Sequence, residues 1–239
     1  MAVTLVVAYV ALSACLIVIG LLLVHVLAPV RHWEDHVNAW FAAHRSAGWT
    51  NVGKDGTFLA DTLGVVVVAV VATLVALACR CRRASALLLC GLAVELAVFL
   101  TVNYTVRRPR PVAPHVGSTP STYSFPSGHV AATLVLYCGI ALLVASRTRA
   151  VWARALAWAV AACVVVWVGF SRMYEAEHHP TDVMAGVCLG AGALAAAALA
   201  VGLWQPAPWR RARGEPGPAG GEVLEHPVVS PPGRQELAG

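Results

Sequence analysis

Long apolar runs, rich in Val, Ala and Leu, alternate along this chain with short polar breaks. The runs cover about residues 3–30, 58–79, 86–106, 127–146, 153–170 and 181–204. About 20 consecutive apolar residues suffice to cross a hydrocarbon layer of roughly 30 Å. The pattern therefore predicts six membrane helices, an all-α polytopic six-helix bundle over residues 1–204. The first run has no basic residues ahead of it and is too long for a cleaved signal, so it is expected to be a retained anchor. Residues 31–55 form the most polar break within the bundle. Trp33, Val37, Trp40, Phe41 and His44 recur there at helical spacing, which fits either an amphipathic helix lying at the interface or a packed extracytoplasmic loop. Residues 205–239 are rich in Pro, Gly and Glu and have no apolar period, so a disordered tail is expected.

Composition supports the membrane assignment. Of 239 residues, 59% are hydrophobic and only 12% charged, which excludes an ordinary soluble domain. The net charge of +5 does not imply nucleic acid, because the arginines sit between apolar runs rather than on one basic face. Arg80, Arg82 and Arg83, then Arg147, Arg149 and Arg154, then Arg210, Arg211 and Arg213 share one side of a six-span topology. That side, with both termini, is expected to be cytoplasmic. The opposite side carries Arg31, Arg45, Lys54, Arg107, Arg108, Arg110 and Arg172, so the bias emerges only if several of these serve chemistry. The seven cysteines fall within apolar runs or at their ends. Cys79 and Cys81 lack a second pair at zinc spacing, so neither a disulfide framework nor a metal site is expected.

Three polar segments remain, all at exits on the same predicted side. Arg107-Arg108-Pro109-Arg110-Pro111 ends the third span, and guanidinium groups suit bidentate contact with phosphate. Pro126-Ser127-Gly128-His129 opens the fourth. Ser127 is suited to an N-cap, Gly128 permits close approach of an anion to free backbone N–H groups, and His129 lies in the first turn. Ser171-Arg172 closes the fifth span and is followed by His178, His179, Pro180 and Asp182. Pro180 fits the first position of the sixth helix. Asp182 then lies within hydrogen-bonding reach of His178 four residues back, or of His179 three residues back; such a bond would fix the imidazole tautomer. Together these are a cationic clamp, a helix start with an acid, and a nucleophile with an orienting carboxylate.

The order and spacing of these segments resemble the type 2 phosphatidic acid phosphatase superfamily, whose pattern is Lys-x6-Arg-Pro, Pro-Ser-Gly-His and Ser-Arg-x5-His-x3-Asp. The second part matches at Pro126 to His129, the third at Ser171, Arg172, His178 and Asp182. The first matches at Arg110-Pro111 but has Asn103 where the lysine belongs; taking Arg108-Pro109 instead puts Thr101 there. The resemblance implies a metal-free, cofactor-free phosphatase that acts on a lipid phosphate or lipid diphosphate, phosphatidic acid-like or polyprenyl diphosphate-like, through a phosphohistidine. In it His178 attacks phosphorus and Asp182 orients it. His129 protonates the leaving alkoxide, and Arg110, Arg172, Ser127 and Gly128 hold the phosphate oxygens. It leaves three alternatives: a lipid phosphotransferase, a weakened phospholipid-binding member because of Asn103, and, remotely, halide oxidation as in the related vanadium haloperoxidases. The implied partners are a lipid phosphate and the plasma-membrane bilayer, with the site extracytoplasmic. Oligomeric state is not legible. Arg107, four residues beyond Asn103 on one helix face, is expected either to replace the lysine or only to meet lipid headgroups. Glu95, about 12 Å deeper than Asn103, is expected to make a helix-packing hydrogen bond, with a lipid contact or proton path as the second reading. Asp61 is expected to contact the arginines or to cap its helix.

Overall fold

The computed structural model describes residues 1–51, 62–116 and 122–203. Asp61, Lys54 and the tail from Gln205 onward lie outside them. The described residues form helices and no strands: α1 (Ala2–His25), α2 (Ala28–Ala43), α3 (Thr62–Ala78), α4 (Arg82–Val106), α5 (Gly128–Arg147), α6 (Val151–Tyr174) and α7 (Pro180–Ala200). α1, α4, α5, α6 and α7 are long and apolar enough to span a bilayer, and α3 is a shorter apolar helix. The protein is an all-α, multi-pass membrane protein.

α1 ends five residues earlier than its apolar run, because Pro29 cannot continue it and instead opens α2. Two residues later Arg31 turns back. Its Nη1 donates to the carbonyls of Leu23 (3.0 Å) and Val24 (2.5 Å), groups that the end of a helix leaves without partners.

α2 is a helix, as one of the two sequence readings allows, and its two faces differ. Glu34 and Asn38 point inward and are buried, while Trp33 and Trp40 are exposed. Phe41 packs edge-on against Phe170 and Tyr174 of α6. Beyond it, Arg45 donates from Nε and Nη2 to the Tyr174 carbonyl at 3.1 and 2.8 Å, which places a cation on the C-terminal end of α6. The helix therefore closes one end of the bundle.

α4 is central, packed against α1, α3 and α7, and α7 also lies along α5. Val98, Val102, Phe125, Val135 and Leu189 are completely buried among them. In lipid no hydrophobic force draws apolar helices together, so close contact relies on small residues. Gly186 and Gly190 supply it: a Cβ at Gly186 would stand 2.5 Å from the Ser127 carbonyl oxygen, and one at Gly190 2.7 Å from that of Ala131. This contact brings the start of α7 onto the start of α5, where the Ser127 N–H donates to the Asp182 carbonyl at 3.0 Å.

Gly186→Ala forces two backbones apart and should lower stability by about 1–3 kcal/mol. Gly48→Ala meets nothing within 4 Å and should not. Thermal unfolding in detergent micelles compares the two.

Candidate active site

Two loops meet at the end of the bundle that α2 covers: the one joining α4 to α5 and the one joining α6 to α7. The second is turned by Ala176, whose φ of 63° lies in the left-handed region. The reversal lets the N–H groups of Glu177 and His178 both donate to the Arg172 carbonyl, at 3.0 and 3.3 Å. His179 then caps α7 and Pro180 opens it, as its sequence position predicts. Asp182 reaches back to the His179 N–H at 2.8 Å, which satisfies one of the donors that a helix start leaves open.

The Asp182 carboxylate is fully buried and collects further donors. Arg108 Nη1 lies 2.5 Å from one oxygen, and the Ser124 hydroxyl donates to the other. Arg108 also donates through Nη2 to the fully buried Glu34 at 2.5 Å. Glu34 in turn accepts the Thr181 N–H (2.9 Å) and hydroxyl (2.5 Å). One guanidinium thus joins the interfacial helix, the α4–α5 loop and the first turn of α7. Glu34 is not among the residues expected to form the site, and Arg108, expected as part of the cationic segment, binds carboxylates here. The sequence signals for them are the duplicated Arg-Pro and the adjacent carboxylates Glu34 and Asp35 in α2.

His178 is almost completely buried, and its Nδ1 lies 2.7 Å from the Ser124 carbonyl oxygen. A carbonyl can only accept, so Nδ1 carries the proton and Nε2 keeps its lone pair. The Asp182 oxygen is 4.0 Å from His178 Nδ1 but 3.1 Å from His179 Nδ1. The direct Asp182–His178 hydrogen bond expected from spacing is therefore replaced. The capping geometry turns Asp182 toward His179, and a main-chain carbonyl orients His178. Burial is the chief reason that the His178 pKa falls to about 3; nearby Arg110, His129 and Arg172 add to the effect, and Asp182 opposes it. The imidazole is neutral throughout the physiological range.

Arg110 stands beside His178 on the cavity wall. Its Nη1 donates to the Glu177 carboxylate (2.8 Å) and carbonyl (2.7 Å), and Nε and Nη2 donate to the Thr122 carbonyl and hydroxyl at 3.1 Å each. Burial pulls its pKa below the ordinary guanidinium value, against the carboxylate of Glu177. Arg172 is buried and donates through Nη2 to Glu175. Glu175 and Glu177 occupy variable positions of the third motif, so motif spacing gave no reason to single them out. Ser127 takes the N-cap position but makes no side-chain cap bond. Its buried hydroxyl has no partner among the described residues.

Asn103 and Arg107 are not part of this cluster. Asn103 is fully buried and grips the loop as a strand would. Its Nδ2 donates to the carbonyls of Tyr123 (2.8 Å) and Phe125 (3.0 Å), and its Oδ1 accepts the Tyr123 N–H at 3.1 Å. A neutral amide that both donates and accepts can do this; a lysine cannot. Arg107 does not continue the helix face of Asn103. It is the left-handed C-cap of α4 (φ 52°), exposed, and its Nε donates to the Tyr104 carbonyl at 2.9 Å. Glu95 differs from expectation too: among the described residues it makes no packing hydrogen bond. It is 4% exposed and lines a cavity.

That cavity, about 410 Å³, joins two environments. Its polar end holds Arg110, Gly128, His129 and His178, and its wall continues along Phe99, Leu96 and Leu92 of α4 and Val65, Val66 and Ala69 of α3. Val66 and Leu96 are 50% and 53% exposed, so the cavity reaches the lipid-facing surface between α3 and α4.

The protein is thus a helical membrane bundle with Arg110, His129, His178 and the start of α5 at one end of an apolar cavity. A family model of the PAP2 superfamily matches residues 84–206, just over half the chain; the protein belongs to that superfamily, the type 2 phosphatidic acid phosphatases. Its fold is similar to the crystal structure of the first transmembrane PAP2-type phosphatidylglycerolphosphate phosphatase from Bacillus subtilis. The TM-score is 0.70 at 20% identity, over 85% of this chain and 96% of that one. A search of curated proteins finds no match.

Arg108→Ala leaves two buried carboxylates without their shared cation and should cost about 3–5 kcal/mol of stability, whereas Arg107→Ala should be nearly neutral in both stability and activity. Thermal unfolding of the two variants tests the reassignment. His178 adds a pH signature. Its folded pKa of about 3 lies below the ordinary 6.5, so as pH falls the unfolded chain takes up the proton first. The stability contributed by the neutral ring is complete above pH 6.5 and is lost progressively as pH falls toward 3. His178→Gln should flatten that part of the stability–pH curve.

Proposed function

We propose that the protein is a lipid phosphate phosphohydrolase that works through a phosphohistidine. The observation that carries this reading is the cavity. It places His178, His129, Arg110 and Gly128 at one end and opens through an apolar wall toward lipid at the other, as a substrate with its phosphate at the interface and its tail in the bilayer requires.

In this mechanism His178 Nε2 attacks phosphorus, while the Ser124 carbonyl holds the proton on Nδ1 and the Asp182 carboxylate stabilises the charge that develops on the ring. The P–O bond to the lipid breaks, and His129 donates a proton to the leaving alkoxide. Arg110, Arg172, the Ser127 hydroxyl and the Gly128 N–H hold the equatorial oxygens where charge accumulates. Water, deprotonated by His129, then attacks the phosphohistidine, releases inorganic phosphate and restores His178. The cluster includes three guanidiniums, the buried Arg108 and Arg172 and the partly buried Arg110, and four buried carboxylates, Glu34, Glu175, Glu177 and Asp182. The cluster is not strongly cationic, so a phosphate anion gains from a protonated His129 as well as needing its proton.

The reading extends to topology: the site lies on the extracytoplasmic side of the cell membrane, with both termini cytoplasmic. In support, Arg31, Arg45, Arg108, Arg110 and Arg172 at the site's end are engaged by helix carbonyls or carboxylates. Arg80, Arg82, Arg83, Arg147, Arg149 and Arg154 at the other end are exposed, as topology-setting charges are.

Purified protein should release phosphate from dioleoyl phosphatidic acid in mixed micelles, and His178→Ala should lower the rate by at least about 10³-fold. Release that persists in His178→Ala would overturn the mechanism; transfer to an added alcohol without release to water would mark a phosphotransferase. Because burial holds the His178 pKa at about 3, kcat/KM should show no acid limb from His178 at pH 5. An acid limb of kcat/KM near pH 6.5 would contradict this assignment.

A further inference from the structure

Among the described residues Glu95 is the one carboxyl that lines the cavity below its polar end, and neither the fold nor the mechanism uses it. It is 4% exposed and lines the same cavity as His129 and His178, and no donor among the described residues pairs with it. Its immediate neighbours in the wall, Leu92, Leu96 and Phe99, are apolar. A carboxyl in such surroundings costs free energy that packing does not recover, and in a membrane helix it marks a functional position by default. Its depth is informative. Phe99 packs against Gly128, where a Cβ would meet the ring at 3.0 Å. Glu95 lies one helical turn, about 6 Å, further from the phosphate end. That is the span of the few atoms separating a lipid's phosphate from the substituents of its backbone, before the hydrocarbon tail begins.

We propose that Glu95 is a subsite for the substrate's backbone, pairing with a hydroxyl or ammonium donor carried a few atoms from the phosphate. It thereby selects lipid phosphates that bear such a donor over those whose chain beyond the phosphate offers none. This rests on the phosphohydrolase reading and narrows it. A substrate without a donor leaves the carboxyl desolvated and unpaired, a loss that one buried hydrogen bond translates into about tenfold or more in affinity or kcat/KM.

The test compares 1-oleoyl glycerol 3-phosphate with its 2-deoxy analogue, which differ by one hydroxyl. Sphinganine 1-phosphate, which adds an ammonium group, forms a further arm. Phosphate release and displacement of a fluorescent lipid phosphate are both measured on wild type, Glu95→Gln and Glu95→Leu, with Glu95→Met as the second apolar variant should Leu prevent folding. The expected wild-type preference for the hydroxyl substrate is about tenfold or more, collapsing to near unity in the apolar variants. A preference that survives Glu95→Gln identifies the hydroxyl as the partner. One lost equally in Gln and Leu, for the sphinganine substrate alone, identifies the ammonium. A wild-type ratio near unity for both the hydroxyl and the ammonium substrate against the deoxy analogue, or ratios unchanged in the apolar variants, overturn the proposal. If no substrate releases phosphate, the phosphohydrolase reading fails, and the displacement ratios still decide whether Glu95 is the subsite.

Discussion

Arg108 is the constraint on which the rest of this site depends. Its guanidinium is buried between Glu34 and Asp182, both fully buried. Each carboxylate alone would be prohibitively costly at the edge of a hydrocarbon layer. Together with one cation, and with Thr181, Ser124 and the His179 N–H as further donors, their acceptors are well supplied. The same bridge ties three segments that are distant in sequence, namely α2, the loop after α4 and the first turn of α7. His178 is positioned by this arrangement rather than by a direct carboxylate bond, since the loop residue that shares Asp182, Ser124, also supplies the carbonyl that fixes the imidazole.

The membrane explains why the scaffold takes the form it does. Apolar side chains gain little by leaving lipid for one another, so the helices are held by close backbone approach at Gly186 and Gly190 and by polar contacts at their ends. Arg31 and Arg45 satisfy helix carbonyls, Asn103 binds a loop backbone, and α2 turns its carboxylate inward while its tryptophans face out. These contacts concentrate at the end where chemistry is proposed, and there they tie described residues of two loops to the helix ends.

Several features were legible in the residues. The spans followed from run length, and Pro180 marked the start of α7 because a ring without an N–H fits only the first helical turn. His129, His178, Arg110 and Gly128 converge on one cavity as their motif spacing implied. Other features were not legible, for physical reasons. Asn103 stands at the lysine position of the first motif, but an amide side chain can serve a loop backbone as well as a phosphate, and spacing does not say which. Arg107 was placed on a helix face that ends just before it. Asp182 lies three residues from one histidine and four from the other, and only the cap geometry separates them.

The sequence by itself determined the class of molecule and the chemical inventory, because hydropathy counts residues along one dimension and motifs record spacing within it. The tertiary structure alone decided which arginine holds the carboxylate and which faces the cavity, since Arg108 and Arg110 differ by two residues and by nothing else in composition. It also decided that Glu34, some seventy residues before Arg108, belongs to the same buried bridge. It turned Glu95 from a packing residue into part of a cavity wall. Each depends on where folded segments meet, and burial makes that meeting selective: a charge removed from water must find its partner wherever in the chain the partner lies.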